Sequence, residues 1–580
     1  MKRGAFFGIV SFFLFLFTQT ASAQVAEESY RIPGTTEGTG TYFEVTDSEY
    51  LNITLESSEE IAAKIESAPE MVILNIGAAE TTASSVLTFA GFSPNTTYHR
   101  YTDNYHNHES VTTDENGLFS FAQDIGSRHV IFIQPRKSTK FIKDNATGGD
   151  CTSIGSWDAS SKTCVLNKEV NETIQIDNDG ITLDGGGHTL NGNKNNGIFV
   201  YGGSATIKNI TISLPSIGIY LNSSDNKVND VVIKNSQFTG IQLSYSNRSV
   251  VSANTITGSR TFGVSVYYSE SNVISDNTIS GGSYGISQEY LSNSNTYDGN
   301  IILNNTNTGI RVTRGAYSIL RNNRVESNLY DGIVIQNTYG GSLTGNRMSS
   351  NGTGNANGRS NFSITGEYMA TTSIDQSNTV EGKPIYYEKN VVGKTYDSSL
   401  NIGSFYCLTC KGITVKDLVL SDHGAKIFLW DTSDSLVDNV VSSDKTIQVS
   451  LSGYSWNNTV RNSDLGTIAI HGVGNINTIY NNNFSDTGAP VYTYTTHKNV
   501  FYRDLPIGGN YWKKNEANCK DLNGDKICDS SFVFDRVVDK YPWAQPFYHE
   551  PIPVPEPVCT ENCHSNVLFL PGINPYTNKG

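Results

Sequence analysis

Counting five residues on from a recurring glycine, this 580-residue chain places Tyr245, Tyr268, Tyr290, Arg314 and Asn337. Counting four gives Ser244, Tyr267, Glu289, Thr313 and Gln336, and counting two gives Gln242, Ser265, Ser287, Arg311 and Val334. Aromatic faces suit the apolar faces of sugar rings, and a carboxylate beside a guanidinium suits proton transfer or the capture of an acidic group. Tyr245, Tyr267, Tyr268 and Tyr290 are therefore the candidate carbohydrate contacts, and Glu289 with Arg311 or Arg314 is the candidate catalytic set. The plainer reading is that aromatics suit strand positions and the charges are a solvated face.

A second pattern points to a metal. Asp521-Leu-Asn-Gly-Asp-Lys-Ile-Cys-Asp529 offers side-chain oxygens of Asp521, Asn523, Asp525 and Asp529 at places 1, 3, 5 and 9, with the Ile527 carbonyl at 7. That is the order of an EF-type calcium loop, although place 12 is Phe532 instead of a bidentate glutamate. A structural Ca2+ is expected here. Copper is not, because the chain has ten His and four Met without M-x-x-M, and its one H-x-H, His106-Asn-His108, stands near His99 in a polar stretch. Asp184 with His188 and the string Gly281-Gly-Ser-Tyr-Gly285 also suggest chemistry, but both fall on glycine-rich turns without the strand-to-helix setting of a nucleophile elbow.

These residues need a scaffold, and the sequence announces one. Asn254, Asn277, Asn300, Asn323 and Asn346 are each 23 residues apart, and Gly197, Gly218, Gly240, Gly263, Gly285, Gly309 and Gly332 each precede Ile or Val. Such a period marks a repeat architecture, and its short alternating apolar runs have no helical period. Three short strands per 23 residues describe one coil of an all-β, parallel β-helix, with coils about 4.8 Å apart. Ile241, Val264, Ile286, Ile310 and Ile333 should stack as one inner column, and Ile256, Ile279, Ile302, Val325 and Met348 as another. The second and fourth positions should then face outward, with the fifth at the sheet edge, and the asparagines should stack at a turn, amide on amide.

Lys2 and Arg3, an apolar run from Ala5 to Phe17, and Ala21-Ser-Ala23 form a secretory signal pattern over 1–23, with no transmembrane anchor expected once it is cleaved. A secreted, periplasmic or cell-surface protein is expected. The formal charge of −15 argues against nucleic acid as a partner. The cysteines pair by proximity as Cys151 with Cys164, Cys407 with Cys410, Cys519 with Cys528 and Cys559 with Cys563, which in an oxidising compartment suggests four local disulfides. Residues 24–145 alternate without the repeat and suggest a small β-sandwich-like module. The β-helix is expected over 146–510 with an irregular insertion at 349–409, then an Asp-rich cap at 511–548, a Pro-rich linker at 549–565 and a last strand at 566–580.

The opening Asp179-Gly-Ile-Thr-Leu-Asp-Gly-Gly-Gly-His-Thr-Leu190, the repeat G-I-x-L-x-x-S-x-x-N, Gly382-Lys-Pro-Ile-Tyr-Tyr387 and the close Gly508-Gly-Asn-Tyr-Trp512 resemble the NosD-type right-handed β-helix family of the pectin-lyase-like group, over about residues 150 to 545. The resemblance implies carbohydrate binding or sugar-chain cleavage in some relatives and assistance to copper-enzyme maturation in the namesake. The N-T-D, D-D and G-H-G motifs of pectin-cleaving hydrolases are absent from this chain. The tail His564-Ser-Asn-Val-Leu-Phe-Leu-Pro-Gly-Ile573 resembles the first strand of a lipase-type α/β-hydrolase. Three functions are open at this point: a module that binds a polysaccharide or cell-surface glycan; a polysaccharide lyase, epimerase or hydrolase; or a spacer for a downstream hydrolase domain.

Overall fold

A computed structural model describes residues 33–79, 83–137, 139–352, 360–420, 426–441, 447–471, 476–486, 489–493 and 499–547. The signal pattern, the Pro-rich linker, Cys559, Cys563 and the hydrolase-like strand lie outside these residues.

The described chain divides into two units, the smaller of which is built from residues up to Ile133. Its eight strands form one antiparallel sheet instead of two separate ones, because the 16-residue strand Ile53–Ala68 is long enough to pair with Thr35–Val45 along its length and with Ser84–Ala90 near its start. Alternate residues such as Leu55, Ile65, Leu74, Phe89 and Ile131 make its core. Tyr98 packs edge-on against Phe92, and its hydroxyl accepts a hydrogen bond from the Ser93 N–H.

The larger unit is a parallel β-solenoid of about 13 turns spaced about 23 residues apart. Strand pairing puts Ile241, Val264, Ile286, Ile310 and Ile333 in one register and Ile256, Ile279, Ile302, Val325 and Met348 in another. Both columns are buried, and each such side chain is worth about 1.5–3 kcal/mol over its exposed state. The repeat glycine is a steric requirement of the stack. A Cβ on Gly263 would lie 2.3 Å from the Ile279 Cγ2 below it and 2.6 Å from the Gly285 carbonyl of the next coil.

The asparagines hydrogen-bond coil to coil as their spacing predicts, Asn254 to Asn277 to Asn300 to Asn323 to Asn346, at 2.9–3.0 Å between side-chain amides. They are buried, and the left-handed residue of the turn is the one before each, Ala253, Asp276, Gly299, Asn322 and Gly345. The amide has to point inward to reach its neighbours, so the turn strain falls one residue earlier. A second ladder, Asn305 to Asn328 to Asn351 to Asn361, runs beside it.

Where the beat stops after Ser349, the solenoid does not. Phe362–Thr365 pairs with Ile333–Gln336, and Asn378 takes the next rung after Asn346, 32 residues on. The chain then reverses in a hairpin, Val380 against Lys383, with Glu381 and Gly382 left-handed at its tip. From there a second arm of parallel coils starts, whose strands Lys383–Lys389, Ser404–Leu408, Lys426–Trp430, Gln448–Ser452, Thr467–Ile470 and Val491–Thr493 pair in order. Ile427, Val449, Ile468 and Val491 form its inner column. Alternate residues of the same strands, Tyr406, Leu408 and Phe428, join the core of the first arm, while Phe405, Cys407 and Ile427 join that of the second. One sheet of the second arm therefore closes the end of the first, and this hairpin, within the irregular stretch 349–409, is the joint between them.

Disulfides join Cys151 to Cys164, Cys407 to Cys410 and Cys519 to Cys528. At the far end the rungs Asn482 and Asn510 finish on Asp539, whose carboxylate accepts from the Asn510 N–H and from Trp512 Nε1 at 2.7 and 2.8 Å.

Candidate functional site

The fifth position after the repeat glycine is not a sheet edge but a left-handed turn. Tyr245, Tyr268, Tyr290, Arg314 and Asn337 have φ of 53, 44, 37, 51 and 50°. An L side chain other than Asn or Asp pays roughly 1–2 kcal/mol for that conformation. The corresponding turns of the second arm hold Thr409, Asp431 and Gly453, so the geometry itself does not call for an aromatic. Three tyrosines in a row at this turn oppose the local preference, which directs attention to what their rings do.

The rings form a stack along the solenoid axis. Tyr245 and Tyr268 lie 5.4 Å apart and Tyr268 and Tyr290 6.1 Å apart, nearly parallel in both cases, and the Arg314 guanidinium sits 5.1 Å over Tyr290. The three tyrosines are half-buried. Tyr267 differs from its expected part: it points out of the core but is only 4% exposed, and it stands edge-on to Tyr268 at 4.7 Å and to Tyr245 and Tyr290 near 6 Å. It props the stack from behind.

The second and fourth positions do leave the core, as the register Gln242, Ser265, Ser287 and Arg311 shows, but they are not solvent-facing. Gln242, Ser244, Ser265 and Ser287 are buried. These small side chains lie between two taller rows, Phe238, Phe262 and Tyr284 where the strands begin and the tyrosines where they end. The Gln242 amide and the Ser244 hydroxyl have no hydrogen-bond partner among the described residues.

Glu289 and Arg311 come together at 3.1 Å, and the Ser287 hydroxyl shares the same Glu289 oxygen. The ion pair is largely buried, and burial pushes the adjacent Tyr284 up to about 12. Held in this way, the carboxylate props the guanidinium. Arg314, three residues on at the left-handed turn, is exposed and stands outside the pair.

The Asp521–Asp529 loop is folded tightly on itself. Asp521 accepts from the Gly524 and Lys526 N–H groups, Asp525 from Ile527 and Asp529 from Leu522, at 2.7–3.0 Å. Phe532, at the place of the twelfth ligand, is buried and stacks 4.7 Å from Trp512. Among the described residues no three His, Cys, Asp or Glu side chains are gathered around one point. His106 is paired with Asp177 at 2.7 Å and stacked on Phe141. Asp184 accepts from Gly186 and Asn209 and lies 3.3 Å from Lys208, a turn arrangement without His188.

One constellation was not visible in the sequence. Asp331, buried on the first arm, accepts from the Ser360 N–H at 2.8 Å. Lys426, buried on the second arm, is lowered from the ordinary lysine pKa by burial, against the pull of the Asp331 carboxylate. Burial, and then Lys426, lowers His471. Burial also lifts Tyr406, whose hydroxyl donates to the Phe362 carbonyl at 2.9 Å. Tyr406, Lys426 and His471 stand on the second arm and Asp331 on the first, and the joint between the arms brings Asp331 within electrostatic reach of Lys426 and Tyr406.

The family described as the right-handed β-helix region matches residues 196–328. A search of curated proteins finds no match. Among solved structures, the chain is similar to the A-module of a mannuronan C-5 epimerase from Azotobacter vinelandii at 10% identity, covering 62% of this chain and 96% of the other with a TM-score of 0.32. A pectate lyase is similar at 12% identity, covering 48% and 76% with a TM-score of 0.27. The catalytic unit of an α-1,3-glucanase from Streptomyces thermodiastaticus is similar at 11% identity, covering 80% and 98%, also with a TM-score of 0.27. These neighbours act on polysaccharides; what this chain does has to be read from its own side chains.

Proposed function

We propose that this protein is an exported β-helix module, of NosD type, that binds a polysaccharide along the tyrosine stack of its first arm. The observation that carries this reading is the placement of Tyr245, Tyr268 and Tyr290 at a left-handed turn that Arg314, Asn337, Thr409, Asp431 and Gly453 fill elsewhere without an aromatic ring. A ring stack of this kind gives sugar faces an apolar rail with hydroxyl tips, and Arg314 closes one end of it. Beside the rail, the unpartnered Gln242 amide and Ser244 hydroxyl call for hydrogen-bond partners, which a hydroxyl-rich ligand or water supplies. The test is a glycan array probed with the wild type and with Tyr267, Tyr268 and Tyr290 changed to Ala. The variant should lose the signal, and equal binding would refute the site.

A second reading, a lyase, epimerase or hydrolase acting on such a chain, is favoured by Asp331, Lys426, Tyr406 and His471. Buried groups with displaced pKa values near one another are a common mark of proton-transfer sites. Ultraviolet absorbance from unsaturated products, formed with alginate or polygalacturonate and lost in Lys426→Met, would establish a lyase; no turnover of any kind leaves the binding module.

For the Asp521–Asp529 loop we propose a weak structural calcium ion, in the millimolar range of extracellular modules because Phe532 withholds the bidentate ligand. Millimolar calcium should raise the melting transition over that in chelator, and Asp521→Ala should abolish the difference. An unchanged wild-type transition would contradict it.

A further inference from the structure

Beyond Arg314 the same face of the solenoid carries three more tyrosines. Tyr317, Tyr339 and Tyr368 are 56, 44 and 49% exposed, one per coil, with ring centroids 5.5 and 5.9 Å apart and each ring set edge-on to the next. Tyr317 again occupies a left-handed position, φ 56°, in a column that holds Arg248, Ser271 and Ser294 in the preceding coils and Gly340 in the next. Its ring lies over Gly340, where a Cβ would come within 2.7 Å of it. The Tyr368 loop is fixed to the same glycine, since Thr371 Oγ1 accepts from the Gly340 N–H at 2.8 Å and donates to the Tyr368 carbonyl at 2.7 Å. Large exposed apolar surface, bent backbone and a glycine cleared for a ring recur together here, on rigid elements.

We propose that Tyr317, Tyr339 and Tyr368 form a second binding segment for the same polysaccharide, so that one extended chain of neutral sugars lies diagonally across six successive coils from Tyr245 to Tyr368. The proposal rests on the reading of the Tyr245–Tyr290 stack as a glycan rail. The offset is small: the first rail stands at the fifth position after the repeat glycine, while Tyr317 stands three residues further along its own coil than Arg314. Six coils at about 4.8 Å per step give a stripe of about 24 Å. The occupant is assigned as neutral because this turn carries no row of unpaired cations, one per coil, of the kind that a polyanion needs. Arg248 is paired with Asp225 at 2.7 Å, Glu270 accepts from the Asn293 amide at 2.9 Å, and Arg314 is engaged over Tyr290. One platform per coil, each with a hydroxyl at its tip, fits a repeating polymer with repeating apolar faces better than a polyanion, which would need unpaired cations at the same interval.

The experiment compares the full chain with Tyr268→Ala and with the double variant Tyr339→Ala and Tyr368→Ala. Soluble xylan, glucomannan and β-1,3-glucan are offered in affinity gels, and trisaccharides of the same sugars in calorimetry, with polygalacturonate as the acidic probe. Both altered tyrosines of the double variant are half-exposed, so its melting transition should match the wild type and certify the fold. The double variant should bind the neutral polymer about tenfold more weakly while keeping its trisaccharide affinity, which Tyr268→Ala removes. Equal polymer affinity in the double variant overturns the second segment and spares the first. Loss in the double variant with full binding by Tyr268→Ala supports the second segment and refutes the first. A wild type that takes only polygalacturonate overturns the neutral assignment, and one that takes none of the probes overturns both segments.

Discussion

Two residue types occupy the turns of this solenoid for opposite reasons. Each ladder asparagine uses its whole amide: Asn323 Oδ1 accepts from both the backbone N–H and the side chain of Asn300, and its Nδ2 donates to the Tyr297 carbonyl and to Asn346. Asn323→Ala strands several buried polar groups at once and should destabilise the first arm by about 3 kcal/mol, read from denaturant unfolding, whereas Asn337→Ala at the exposed turn should cost far less. Equal effects would mean that the ladder is no more than turn filling. The tyrosines, by contrast, gain little for the fold. Their left-handed strain of about 1 kcal/mol is of the same size as the gain from one stacked ring pair. The asparagine ladder was legible because its rungs recur every 23 residues. The strain under the tyrosines was not, because whether a residue after a strand continues it or turns left depends on where the next coil bends.

At the scale of elements, alternation along short strands was enough to place both inner columns, since a period of two leaves little freedom about which side chains face in. What it could not give was exposure on the outer face, because the height of neighbouring rings decides whether Ser265 or Gln242 meets water. The segment Asn378–Tyr387 reads as a hairpin or flap, and Thr379–Val380 does pair antiparallel with the following strand; that this hairpin joins two arms depends on the core that Tyr406 and Phe428 find on the first arm, which alternation does not show. The last element carries its own prediction. Burial raises the Asp539 pKa to about 6 although four groups donate to its carboxylate, so the folded state holds its proton more tightly than the unfolded chain. That contribution to stability is present in full below about pH 4 and is lost as pH rises through 6, amounting to about 3 kcal/mol in all. Cap unfolding, followed by the fluorescence of Trp512, should therefore be easier at pH 7 than at pH 4.5. Asp539→Asn, which continues the ladder with a neutral amide, should flatten the profile; a slope that survives this change would place its cause elsewhere.

In the molecule as a whole, the first arm supplies the rail and a sheet of the second packs on its core, which brings Asp331 within electrostatic reach of Lys426. The separation of those two residues in the chain, 95 positions, explains why no motif foretold them, while the rail could be listed residue by residue from the repeat glycine alone. The central claim is that the tyrosines of the rail are kept for a ligand and not for the fold. The most direct measurement is calorimetric titration of the preferred polysaccharide into the wild type and into Tyr268→Asn, with unfolding free energies taken on the same samples. Asn relieves the left-handed strain and forfeits three ring contacts, so stability should stay within about 2 kcal/mol of the wild type while affinity falls at least about tenfold. A variant that binds as well as the wild type, or one that loses binding only because it loses the fold, would contradict the account.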